Sequence, residues 1–324
     1  MIARGFALAL LIAGPVPAVA QTPLALEAKI PLGQVGGRID HLAVDLNRQR
    51  LLVAELGNNS VGVVDLAGVK LLRTLFGFSE PQGLGYEPGT DTVFVANGGD
   101  GSVSVLRGKD YAALGRIELG DDADNVRIDA ARNRVLVGYG KGSLALIDPA
   151  VLAKIADIRL DGHPEGFQLD AGRVYVNIPD SRSIAVLDLS AGAVVGALPT
   201  EGHRANFPMA IDTAARRVLS VFRSPPRLLV LSAEDGATLA DKEVCGDADD
   251  LFVDAKRRRV YVSCGIGAVD VLEERAGSYR RLARVSTAPG ARTSLFVPEL
   301  DRLFVAVRAG GGEPAAIWVF RPSG

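Results

Sequence analysis

The chain has 324 residues, with 36 Lys and Arg against 38 Asp and Glu, so its formal charge of −2 excludes a general polyanion binder. Apolar residues make up 48% and aromatics only 6%, with 37 Gly and 17 Pro, a composition that fits a β-rich, turn-rich protein with an aliphatic core. A fold of this size buries roughly three quarters of its unfolded surface.

The first element is a leader. Arg4 precedes the apolar stretch FALALLIAG, and Ala18-Val19-Ala20 fits cleavage before Gln21, so residues 1–20 are expected to be a signal peptide and 21–324 one exported domain. The apolar stretch is too short for a permanent membrane span. The mature protein is therefore expected in a periplasm or outside the cell, as a monomer.

From residue 41 onward one pattern is written seven times: an apolar pair, a turn acid, a short turn usually ending in Arg, then two β-rich runs. The turn acids are Asp45, Glu87, Asp129, Asp170, Asp212 and Asp254, with Pro298 in the last copy, giving steps of 42, 42, 41, 42, 42 and 44 residues. A repeat of this length built from short strands is a propeller blade. Alternation within each copy, as in VFVANGGDGSVSV (93–105), predicts hairpins. Blade 1 is expected to have strands near 41–45, 50–54, 61–66 and 69–76.

Six copies carry a fourth strand-like segment; the seventh does not. LALEAKIPL (24–32) instead precedes the first copy, so residues 26–31 are expected to pair with 316–320 and close a seven-bladed, all-β ring of four-stranded antiparallel blades. In an oxidising compartment Cys245, just before the first strand of copy six, and Cys264, at the end of its second, are expected to form a disulfide. By the chain-entropy model such a bridge contributes about 3 kcal/mol.

The units VFVANGGDGSVSV, LLVAELGNNSVGVVDL and VYVNIPDSRSIAVLDL resemble the YVTN repeat of the YncE-like family of exported seven-bladed propellers. The resemblance covers nearly all of the mature chain and implies a binding protein; single-stranded DNA is bound by one such relative. Blades 5 and 6 depart from the pattern with SVFRSPPR and SCGIG.

The segments entering the innermost strands emerge at one mouth of the central channel, where a propeller binds its ligands. Residues five and four before each marker form a ring: Asp40-His41, Gln82-Gly83, Asp124-Asn125, Glu165-Gly166, Phe207-Pro208, Asp249-Asp250 and Thr293-Ser294. Second-strand ends add Glu55, Asn97, Tyr139, Asn177, Arg223 and Arg308; Asn206 and Arg292 stand beside the ring. The ligand set expected from this reading is Asp40, His41, Gln82, Asn97, Asp124, Asn125, Tyr139, Glu165, Asn206, Phe207, Asp249, Asp250, Arg292 and Arg308. Such an acidic mouth suits a polar or cationic small molecule, a peptide or a partner protein.

No cofactor motif is present; calcium at the carboxylate ring is the one inorganic ligand the pattern admits. His41, His163 and His203 all precede first strands, but at different offsets, so a three-histidine metal site would need an accidental convergence. No catalytic spelling for a metalloprotease, serine hydrolase, phosphate loop or haem attachment occurs, and GYGKGS (138–143) reads as a hairpin turn. The enzymatic alternative is a metal-assisted hydrolase or lactonase using Asp40, Glu165, Asp249 and Asp250. Quinone-dependent oxidation is weaker, because the sole Trp, Trp318, lies in a sheet strand. On the opposite face Arg48, Arg50, Arg132, Arg134, Arg216, Arg217, Lys256, Arg257, Arg258 and Arg259 collect, a distribution that leaves nucleic acid as a minor partner class. The loop 307–315, which holds GGGEPA, is expected to be mobile and to fold over a ligand at the mouth.

Overall fold

The turn acid explains the repeat. In blade 1 the Asp45 carboxylate accepts the Arg48 N–H at 3.1 Å, and Asp129, Asp212 and Asp254 accept the N–H three residues on at 3.3, 3.0 and 3.2 Å. Glu87 does the same for Gly89 and Thr90. An Asx-type turn satisfies backbone donors that a tight hairpin leaves free. Each such turn ends in one left-handed residue, among them Gln49, Asp91, Asn133 and Arg258. The chain then reverses into the second strand.

Repeated seven times, these hairpins build seven four-stranded antiparallel sheets, a seven-bladed β-propeller. The structure is a computed structural model that describes residues 22–324; the signal-peptide expectation for 1–20 lies outside the described residues. Blade 1 consists of strands Leu42–Asp45, Arg50–Glu55, Ser60–Asp65 and Lys70–Phe76, close to the expected limits. Blade 7 takes Ser294–Val297, Arg302–Val307 and Ala316–Pro322 from the end of the chain and Leu24–Pro31 from its beginning. Leu26 pairs with Phe320, Lys29 with Trp318 and Pro31 with Ala316, so the expected closure is the observed one.

Alternation matters because both faces of every blade are covered. Leu51 and Val53 pack towards blade 7, whereas Leu52 and Ala54, one residue out of phase, pack towards blade 2. Seven apolar clusters result, one in each gap between blades. The core is thus a ring of interfaces around a channel left free for polar groups. The Cys245–Cys264 disulfide lies in the cluster between blades 5 and 6. Among the described residues no helix is long and apolar enough to cross a membrane.

Candidate functional site

Irregularities in the innermost strands aim side chains into the channel. Against its neighbour, the inner strand shifts register between Ala123 and Val126 in blade 3 and between Ala248 and Asp250 in blade 6, with similar shifts in blades 2 and 5. A bulge breaks strict alternation. Consecutive residues, Asp124 with Asn125 and Asp249 with Asp250, therefore line the same cavity of about 330 Å³ at the mouth.

That cavity brings together Asp40, His41, Gln82, Asp124, Asn125, Glu165, Phe207, Asp249, Asp250 and Arg292 from the expected set. Arg38, Asp122, Arg127, His163, Gln168 and Arg223 line it as well. Arg127, Gln168 and Phe252 sit two residues before their turn acids, so continuing the period-two count one step deeper would have found them. Arg38, Asp122 and His163 come from loops that carry no periodic signal.

Four expected residues lie elsewhere. Asn97 is fully buried and turns its amide onto the Ser102 and Ser104 hydroxyls, both at 3.0 Å, where it braces its own hairpin. The Tyr139 hydroxyl donates to Asp157 on the outer strand of blade 3. Asn206 is buried against Asn177 and the Ser183 carbonyl. Arg308 is exposed beside a separate groove of about 580 Å³ between blades 6 and 7. The loop 307–315 lines that groove in this structure, and Gly310 and Glu313 join its two sides by two mutual backbone hydrogen bonds.

Arginines hold part of the carboxylate ring. Arg38 reaches Asp40 at 2.5 Å, Arg292 reaches Asp249 at 2.8 Å, and Arg223 also contacts Asp249 while stacking 3.8 Å above the Phe207 ring. The two Asp124 oxygens lie 3.8 Å from the Nε2 atoms of His41 and His163. His203 is remote, buried against Phe222 and close to the Thr200 carbonyl and Asp241, so the three histidines do not converge. Among the described residues no group of three His, Cys, Asp or Glu is spaced to hold a metal ion.

Crowding sets the protonation states. Burial pushes the Glu165 carboxyl up to about 8, helped by Asp124, and pushes Asp250 up to about 7. Burial opposes the charge on His163, but Asp124 and the Gly140 carbonyl outweigh it and bring the imidazole up to about 9. His41 is raised too, burial being overcome by Asp40, Asp250 and Asp124. Asp124 sits below the usual carboxylate range because His163 and His41 outweigh its burial.

Glu55 belongs to the hairpin of blade 1 and not to the cavity. It is fully buried, the Ser60 hydroxyl donates to one oxygen, and the other has no partner. Burial, only partly offset by Ser60, raises its pKa to about 7 from 4.5. A carboxyl raised in the folded state costs nothing below the unfolded value, costs progressively more between the two, and reaches about 3 kcal/mol above the folded one. Glu55→Gln is therefore expected to stabilise the fold by up to about 3 kcal/mol at pH 8 and to have little effect at pH 4.5. Urea unfolding of both proteins at the two pH values checks this; an equal difference at both would contradict it.

No family model matches the chain, and no curated protein matches it. Solved structures do. A chain of Kuenenia stuttgartiensis hydrazine synthase is similar with a TM-score of 0.73 at 15% identity, over 90% of this chain and 96% of that one. A chain in the crystal structure of a mitotic checkpoint complex gives a TM-score of 0.77 at 11% identity, over 98% of each. At these identities the likeness is one of fold.

Proposed function

We propose that this propeller is an exported binding protein that holds a small polar ligand in the cavity at the mouth of its channel. One observation carries the reading. Asp124 and Asn125 line the cavity, and the Oδ1 atom of each is buried with no hydrogen-bond partner in the protein. Leaving a buried acceptor unmet costs about 1–3 kcal/mol, so a site that keeps two is built for a donor from outside the chain. Export is supported by the leader-like residues 1–20 and by the disulfide, and the blade spelling supports membership of the YVTN-repeat, YncE-like group.

The hydrolase or lactonase alternative is less well supported. It asks Asp40, Glu165, Asp249 and Asp250 to share one ion, yet Asp40 and Asp249 are engaged by Arg38, Arg223 and Arg292. Native mass spectrometry of the protein purified from its own cell envelope tests the reading. The expected result is a retained organic molecule that is lost from an Asp124→Ala, Asn125→Ala double variant. Protein that emerges empty, and whose thermal unfolding no small polar compound shifts, would refute it.

A further inference from the structure

The cavity groups with unmet bonding capacity are of both signs, and three of them lie on one strand. Asp124 Oδ1 and Asn125 Oδ1 have no hydrogen-bond donor, the imidazole of His41 standing 3.8 Å from Asp124 Oδ1, at ion-pair but not hydrogen-bond distance. Two residues further along, the Arg127 guanidinium donates only to the adjacent Val126 carbonyl at 2.9 Å, and among the described residues it has no carboxylate within ion-pair distance. The other arginines lining the cavity are all paired with Asp40 or Asp249. Asp250 and Asp124 attract Arg127 from a distance without meeting it, and burial dominates its environment.

From this juxtaposition we infer that the cavity takes a small zwitterion, one ammonium and one carboxylate in a single molecule, as in a free α-amino acid. The inference deepens the binding reading and rests on it. An ammonium supplies N–H donors to Asp124 and Asn125, and a carboxylate is the planar partner that a guanidinium fork fits.

A neutral polyol would supply donors to the two acceptors but no anion for Arg127. The volume of about 330 Å³ is at the small end of the range for small-molecule sites.

Isothermal titration calorimetry of the mature protein at pH 7.5 tests this with the proteinogenic L-amino acids, n-propylamine, propionate, glycine betaine and glucose. At least one amino acid is expected to bind. The two single-charge compounds are expected to bind at least tenfold more weakly, as is betaine, which keeps both charges but has no N–H. Arg127→Gln and Asn125→Ala, each checked for the parent's circular dichroism, should each weaken the amino acid at least tenfold. The inference is overturned if no amino acid binds, if propylamine or glucose binds as tightly, or if both variants bind like the parent. A retained molecule that is not a zwitterion, found by native mass spectrometry, would overturn it while leaving the binding reading intact; empty protein with no titration signal would remove both.

Discussion

A chain that begins at Leu32 is expected to lose the folded state, although it keeps every strand of blades 1 to 6. The missing strand Leu24–Pro31 carries Leu24 and Ile30, which are 2% and 1% exposed, and its Glu27 pairs with Arg302 and Arg321. Removing two such side chains costs about 4–10 kcal/mol by the usual large-to-small range, before the backbone ladder to Ala316–Pro322 is counted. The whole net stability of a domain is about 5–15 kcal/mol. The bared edge of blade 7 would in addition offer unpaired backbone groups to other copies.

The control is a circular permutant. Ser323 donates to the Pro23 carbonyl at 3.0 Å and, through its hydroxyl, to the Thr22 carbonyl at 2.6 Å, so Gly324 can be joined to Thr22 by a short linker and the chain opened at the exposed Gly33-Gln34. The permutant should recover the native circular dichroism and thermal midpoint. A truncated protein that unfolds at the parent's midpoint would show that the borrowed strand does not hold the ring.

Where the sequence is legible, the reason is repetition. A marker acid that accepts backbone N–H groups must recur at the same place in each hairpin, so blade number, strand limits and ring closure could be counted from Asp45 to Pro298. The mouth was legible to the extent that inner-strand position alone decides direction, as for Asp40, Asp124 and Asp250. It failed at strand ends, where a side chain chooses between the channel and its own turn. Asn97 finds two serine hydroxyls in its hairpin, and Tyr139 finds Asp157 one strand out; neither partner is marked by the repeat. Arg127 and Gln168 lie one period-two step deeper along the inner strands than the ring of pairs, two residues before their turn acids.

The basic face shows the same limit, since charges can be read from a sequence but partners in the next blade cannot. Arg48 of blade 1 grips Asp91 of blade 2 at 2.7 and 2.8 Å, and Arg258 and Arg217 both reach Glu274. Much of what looked like a cationic surface is thus taken up within and between blades.

The strongest of these clasps sets the second prediction. Arg257 of blade 6 holds Asp301 of blade 7 through both terminal nitrogens, at 2.6 and 2.7 Å, and its own turn acid Asp254 at 3.1 Å. Its side chain is 8% exposed and that of Asp254 2%. Arg257→Ala leaves Asp254 buried without its cation, so the expected loss is about 3–5 kcal/mol, read as a lower urea midpoint with an unchanged slope. Arg257→Lys should not restore it, because an ammonium cannot span two carboxylates as a planar fork does. The equivalent Arg48→Ala strands an equally buried turn acid, Asp45, whose side chain is 3% exposed, so its loss is expected in the same range. A loss below about 1 kcal/mol at Arg257 would mean that the clasp does not hold blades 6 and 7 together.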